Sequence, residues 1–137
     1  MWHALFSFTN ILAMIAWLAL AFLPRVPLVR STIMFAGVAL LCLTYTACFA
    51  LVLSGSVDPV TMPGAGKPGF GSIEAVRAIF ASDGGVVIGW THYLAFDLFT
   101  GLWIARDADN KEFSRVTQLP FLVMTFMAGP IGLFTWL

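Results

Sequence analysis

Charge is scarce in this chain. Seven Lys and Arg balance seven Asp and Glu, so charged residues make up 10% of 137 positions and the formal net charge is zero. Soluble domains carry about 25% charge, so the scarcity excludes an ordinary soluble domain and a disordered chain alike. No excess of basic residues exists to meet phosphate backbones, which excludes a nucleic-acid partner. Cysteine is rarer still. Cys42 and Cys48 lie about 9 Å apart along a helix, too far to bridge each other, and their spacing fits no metal. His3 and His92 are the two histidines, and a depth difference of about 9 Å makes them a poor haem pair. No cofactor or metal is expected, and no serine or cysteine nucleophile motif is present. The run Gly64-Ala65-Gly66-Lys67-Pro68-Gly69 lacks the Ser or Thr after Lys and the preceding strand of a phosphate loop, and reads as a plain loop.

What is abundant is apolar bulk: 60% hydrophobic and 15% aromatic residues, with a mean hydropathy of +0.92. Four runs, at 2–23, 31–53, 86–105 and 119–137, approach the roughly 20 helical residues that cross a bilayer. Lipid satisfies no backbone group, so each run must be helical. The expected fold is an all-α integral membrane protein, a single four-transmembrane-helix bundle. In the long link before the third run, Ile73, Val76, Ile79 and Phe80 recur at helical spacing and predict a short amphipathic surface helix over 72–82. That helix is expected to cap the outer mouth of any pocket. Arg25, Arg30, Arg106, Lys111 and Arg115 fall in the first and third links, whereas the long link holds Lys67 and Arg77. The positive-inside rule then puts both termini outside the cytoplasm, with Trp2 and Trp136 at the outer boundary.

Asp97 is the one carboxyl in the middle of a run, and intramembrane acids default to function. His92 and Tyr93 precede it, with Tyr93 four residues away and so on its face. Depth arithmetic places Asn10 and Tyr45 in the same layer as His92. Pro130 frees the carbonyl of Phe126, to which a protonated Asp97 could donate. The expectation is one polar pocket walled by Asn10, Tyr45, His92, Tyr93 and Asp97, with Asp97 and His92 as the chemical pair. The plain alternative for Asp97 is hydrogen-bonding glue between helices. Gly85, Gly89, Gly129 and Gly132 permit close approach within the bundle or between copies, and the reading leans to a dimer or trimer.

A family resemblance follows from these residues. The third run, Gly89-Trp90-Thr91-His92-Tyr93-Leu94-Ala95-Phe96-Asp97-Leu98-Phe99, with Gly101, Trp103 and Arg106-Asp107-Ala108, resembles the abscisic-acid-deficient-four-like membrane family. Pro120-Phe121-Leu122, Thr125-Phe126-Met127 and Gly129-Pro130-Ile131-Gly132-Leu133 are similar to it too, as are Phe6-Ser7-Phe8-Thr9-Asn10, Trp17 and Pro24. Plant members are required to convert violaxanthin into neoxanthin. The resemblance therefore implies a carotenoid or related isoprenoid ligand, with Trp90 and Phe126 among the aromatic residues that grip it. No plastid transit segment is seen, which suggests a bacterial inner membrane. Opening an epoxide to an allene and an alcohol is redox-neutral and needs an acid and a base. A lipid-buried Asp97 would be the protonated acid and His92 the neutral base. The alternatives are a non-catalytic carotenoid- or retinoid-binding membrane subunit and, behind it, a small proton-linked transporter.

Overall fold

Helix formation here follows from apolar runs punctuated by proline. In the computed structural model, which describes all 137 residues, every regular element is helical. Helix α1 spans Trp2–Phe22 and stops just before Pro24, whose ring cannot continue the hydrogen-bonded spiral. Pro27 opens α2, Pro27–Leu53, at the first-turn position where a missing N–H costs nothing. One turn of α2, Ile33–Val38, widens to π geometry. It contains Gly37, where an added Cβ would stand 3.3 Å from Leu98 Cδ2 and 3.4 Å from Ala16 Cβ. Ser72 caps α3, Ile73–Phe80, and Ser82 caps α4, Asp83–Asn110, each hydroxyl accepting a backbone N–H three residues on.

Helix α4 is the hub on which α1, α2 and the last two helices pack. The core between them is built of Trp17, Leu20, Leu41, Leu98, Leu102 and Ile104. Trp17 lies directly on Gly101, where any Cβ would collide with the indole. The two ends of the bundle differ in chemistry. At one, Trp2 Nε1 donates to the Asp58 carbonyl at 3.0 Å. At the other, Asp109 pairs with Arg25 at 3.2 Å and with Arg30 at 3.1 Å.

Two helices, α1 and α2, are long and apolar enough to cross a membrane. Only 28% and 22% of their most apolar windows is buried, and Ile11, Ile15, Leu18 and Leu43 point outward. The third run does form a helix, α4, but His92 and Asp97 interrupt its apolar character and it does not join α1 and α2 as a candidate span.

The fourth run corrects the four-span expectation. Helix α5, Arg115–Met127, ends at Ala128, whose φ of −159 and ψ of 87 are extended. The chain then reverses into α6, Gly129–Trp136. Pro130 has no N–H to continue the ladder, and Gly132 lets the returning helix press against Thr125 so closely that a Cβ would collide. Phe121 meets Trp136 edge-on at 5.1 Å, so α5 and α6 form an antiparallel hairpin. Each arm is too short to span a bilayer, since α5 covers about 20 Å. Trp136 Nε1 donates to Asp107 Oδ2 at 2.8 Å. Trp136 therefore lies at the Arg25 end, opposite Trp2, not at a shared outer boundary.

The glycines that suggested association between copies are used inside the chain. Phe80 covers Gly89, the Ile79 carbonyl covers Gly85, Asp97 covers Gly129 and Thr125 covers Gly132. They supply no argument for an oligomer.

Two outcomes test this packing. Gly132→Ala should lower stability by about 1–3 kcal/mol through overpacking, read as an earlier unfolding transition in mild detergent. At the foot of the hairpin, the hydrogen bond from Lys111 holds the Asp107 carboxyl below the usual carboxylate range, and Trp136 N–H adds to it. A depressed carboxyl stabilises the fold above its unfolded pKa of about 3.9 and loses that contribution as pH falls through the lower folded value. Trp136 fluorescence should report the foot loosening in that acid window, and Asp107→Asn should remove the pH dependence.

Candidate functional site

Helical spacing decides which side chains of α4 can act together. Trp90, Tyr93, Leu94 and Asp97 fall at i, i+3, i+4 and i+7 and share one face. That face lines a cleft of about 240 Å³. Asn10, Ala13, Met14 and Trp17 of α1 form the opposite wall, and Phe126 and Met127 at the tip of the hairpin close it. Asp97 is fourteen residues from one end of α4 and thirteen from the other, about 20 Å from each. The hairpin tip thus meets α4 at its midpoint.

The break between α5 and α6 sets the polar chemistry. Ala128 has no side chain to cap α6, so the first N–H groups of that helix and the last carbonyls of α5 need partners from elsewhere. Tyr93 supplies one, its hydroxyl donating to the Met127 carbonyl at 3.1 Å. Asp97 packs so tightly on Gly129 that a Cβ there would collide with Oδ1. Asp97 is 8% exposed, and its Oδ2 is buried without a hydrogen-bond partner. The donor expected from Asp97 to the Phe126 carbonyl is replaced by Tyr93 to Met127, because the chain leaves the helix after Met127, three residues before Pro130, and frees that last carbonyl as well.

Asn10 and Trp90 form the upper rim. Trp90 Nε1 donates to Asn10 Oδ1 at 3.0 Å, while Asn10 Nδ2 donates to the Phe6 carbonyl at 2.6 Å. Trp90 also stacks on Tyr93 with ring centroids 5.2 Å apart. Below, Trp17 meets Phe126 edge-on at 5.5 Å and forms the floor. The expected pocket thus gathers Asn10, Trp90, Tyr93, Asp97 and Phe126 in one place.

Tyr45 and His92 are not part of it. They lie on the α2 side of α4, their rings 5.5 Å apart, with Phe49 stacked on Tyr45 and Phe96 on His92. His92 is exposed and is five residues from Asp97, about 140° around the helix. The single pocket of five polar residues is therefore split in two. Helix α3 contributes no lining residue either: Phe80 sits on Gly89, and α3 is not a lid on this cleft. Trp17 and Met14 were absent from the expected set, although their spacing from Asn10, at i+7 and i+4, already puts them on its face. Gly129 and the Met127 carbonyl could emerge only from the hairpin.

Compared with known families, residues 4–136 match the model of the ABA DEFICIENT 4-like family. No curated protein and no solved structure matches the chain.

The role of Tyr93 in completing the break is testable. Tyr93→Phe keeps the ring stack on Trp90 and leaves the Met127 carbonyl without its donor. Stability in mild detergent should fall by about 1 kcal/mol, whereas Tyr45→Phe, outside the cleft, should leave it unchanged.

Proposed function

This chain belongs to the ABA DEFICIENT 4-like family, and we propose that it holds a carotenoid or related isoprenoid within a membrane and rearranges it without redox change. The observation that carries this reading is Asp97: a carboxyl buried at mid-helix, lining an apolar cleft, with one oxygen unpartnered.

The proposed setting is a bilayer crossed by α1, α2 and α4, with the α5–α6 hairpin entering from the Arg25 end and turning back at mid-depth. Broken helices survive at that depth where protein satisfies their backbone, which is what Tyr93 does for Met127. Arg25, Arg30, Arg106, Lys111 and Arg115 fall in the two links at that end, which supports a cytoplasmic assignment for it by the positive-inside rule. Trp136 is then cytoplasmic, while Trp2 and the link containing Gly66 are outside.

The proposed chemistry starts from an epoxide on the ligand's end ring. A carboxyl away from water favours its protonated form. Asp97 gives that proton to the epoxide oxygen as the carbon–oxygen bond breaks. Its carboxylate then takes the proton from the neighbouring carbon as the new double bond forms. One proton leaves the side chain and one returns, so no electron acceptor is needed. His92 stands outside the cleft and is not the base in this scheme. Its separation favours a second reading, in which the protein binds pigment and hands it to another enzyme.

Protein in lipid nanodiscs, supplied with an epoxy-xanthophyll and followed by chromatography, separates the two. The isomerase reading expects turnover, and Asp97→Asn should cut it by about a hundredfold or more while pigment stays bound. Pigment retained without turnover in the unaltered protein would establish the carrier instead. The membrane arrangement has its own check: cysteines at Asn110 and Leu137 should label from the cytoplasmic face and one at Gly66 from the other.

A further inference from the structure

The cleft is too small for the whole ligand that the proposed function implies. Sites that enclose a drug-sized molecule measure about 300–1,000 Å³, and this one measures about 240 Å³. Its walls run from Asn10 to Trp17 and from Trp90 to Asp97, about 10 Å in height, a third of the roughly 30 Å hydrocarbon layer. A polyene of bilayer length cannot lie inside it.

Nor can such a rod pass through along the axis. The floor is closed by the edge contact of Trp17 with Phe126 and by the seating of Trp17 on Gly101. The top is crossed by the hydrogen bond between Trp90 and Asn10, with Phe6 against Trp90 at 6.3 Å. What remains open is the side, where Met14 and Met127 stand exposed at the rim.

The polar groups of the cleft are also nearly all in use. Asn10 is bonded to Trp90 and Phe6, and the Tyr93 hydroxyl to Met127. Asp97 Oδ2 is the buried side-chain oxygen of the cleft left without a partner. No other side chain in the cleft offers a free polar atom, and a single carboxyl packed on Gly129 at the end of an apolar slot recognises one oxygen function.

We infer that this cleft takes a single oxygen-bearing end group, admitted sideways from lipid between α1 and the hairpin, and leaves the rest of the ligand in the bilayer. The inference rests on the isoprenoid reading above and narrows it: recognition lies in one ring and its oxygen, not in the length of the polyene. A hydroxyl serves either protonation state of Asp97, since it both donates and accepts.

The test uses the full chain in lipid nanodiscs loaded with zeaxanthin, whose end rings carry hydroxyls. Displacement of the pigment is then followed with 3-hydroxy-β-ionone, the isolated hydroxylated ring, and with β-ionone, the same ring without the hydroxyl. The hydroxylated ring should displace zeaxanthin, and β-ionone should need at least tenfold more. Asp97→Ala should erase that difference, while Tyr45→Phe should preserve it. Equal displacement by both rings, or none by the hydroxylated ring from protein that retains zeaxanthin, would overturn the end-group inference and leave the isoprenoid reading standing. Failure of the unaltered protein to retain zeaxanthin at all would also overturn the end-group inference, whereas the isoprenoid reading falls only if the epoxy-xanthophyll is not retained either. The comparison of the two rings on unaltered protein keeps its meaning even if Asp97→Ala fails to fold.

Discussion

A helix broken in the middle of an apolar bundle must find partners for its freed backbone groups, and the rest of this structure is arranged around that need. Ala128 is extended and offers no cap, so α4 supplies the partners from across the interface. Tyr93 donates to the Met127 carbonyl, and Asp97 lies against Gly129 at the start of α6. Both come from the face of α4 that also lines the cleft. The groups that hold the hairpin are thus the groups that give the cleft its polarity. A structural role and a chemical role for Asp97 are therefore not rivals, because the carboxyl packs on Gly129 of the hairpin while its buried Oδ2 has no hydrogen-bond partner.

The hairpin is fixed at its other end by a separate set of contacts. Trp136 reaches Asp107, Lys111 pairs with the same carboxylate oxygen, and Phe113 and Phe121 pack on the indole. Arg25 and Arg30 converge on Asp109 two residues further along α4. Most of the charge at this end is therefore spent within the protein, tying α1, α2 and the hairpin to one helix terminus. Being anchored at tip and foot, α5 and α6 present Phe126 and Met127 to the cleft in a fixed position, and the slot keeps its open side.

Helix α4 shows why a residue list is not a site. His92 and Asp97 are close in sequence and similar in depth, and both are ionisable, yet they serve different faces. Five residues turn a helix by about 140°, so His92 joins Tyr45, Phe49 and Phe96 on the α2 side. The spacing already implied that separation. What made one pocket plausible was equal depth, and depth does not say on which side of α4 a residue lies.

The sequence by itself determined the helical class, the apolar character of α1 and α2, the short helix after Ser72, and the faces of α4, because each follows from local periodicity, capping or composition. Asp97 stood out for the same reason, as a lone carboxyl among apolar neighbours. The course of residues 119–137 was decided only in three dimensions. Gly129-Pro130 is compatible with a kinked span as well as with a reversal. Which one forms depends on whether Thr125 can close on Gly132, whether Tyr93 can reach Met127, and whether Trp136 can reach Asp107. Those contacts join residues up to 34 positions apart, and no local rule weighs them. The reversal moved Trp136 to the opposite end, put Gly129 against Asp97, and so made the cleft.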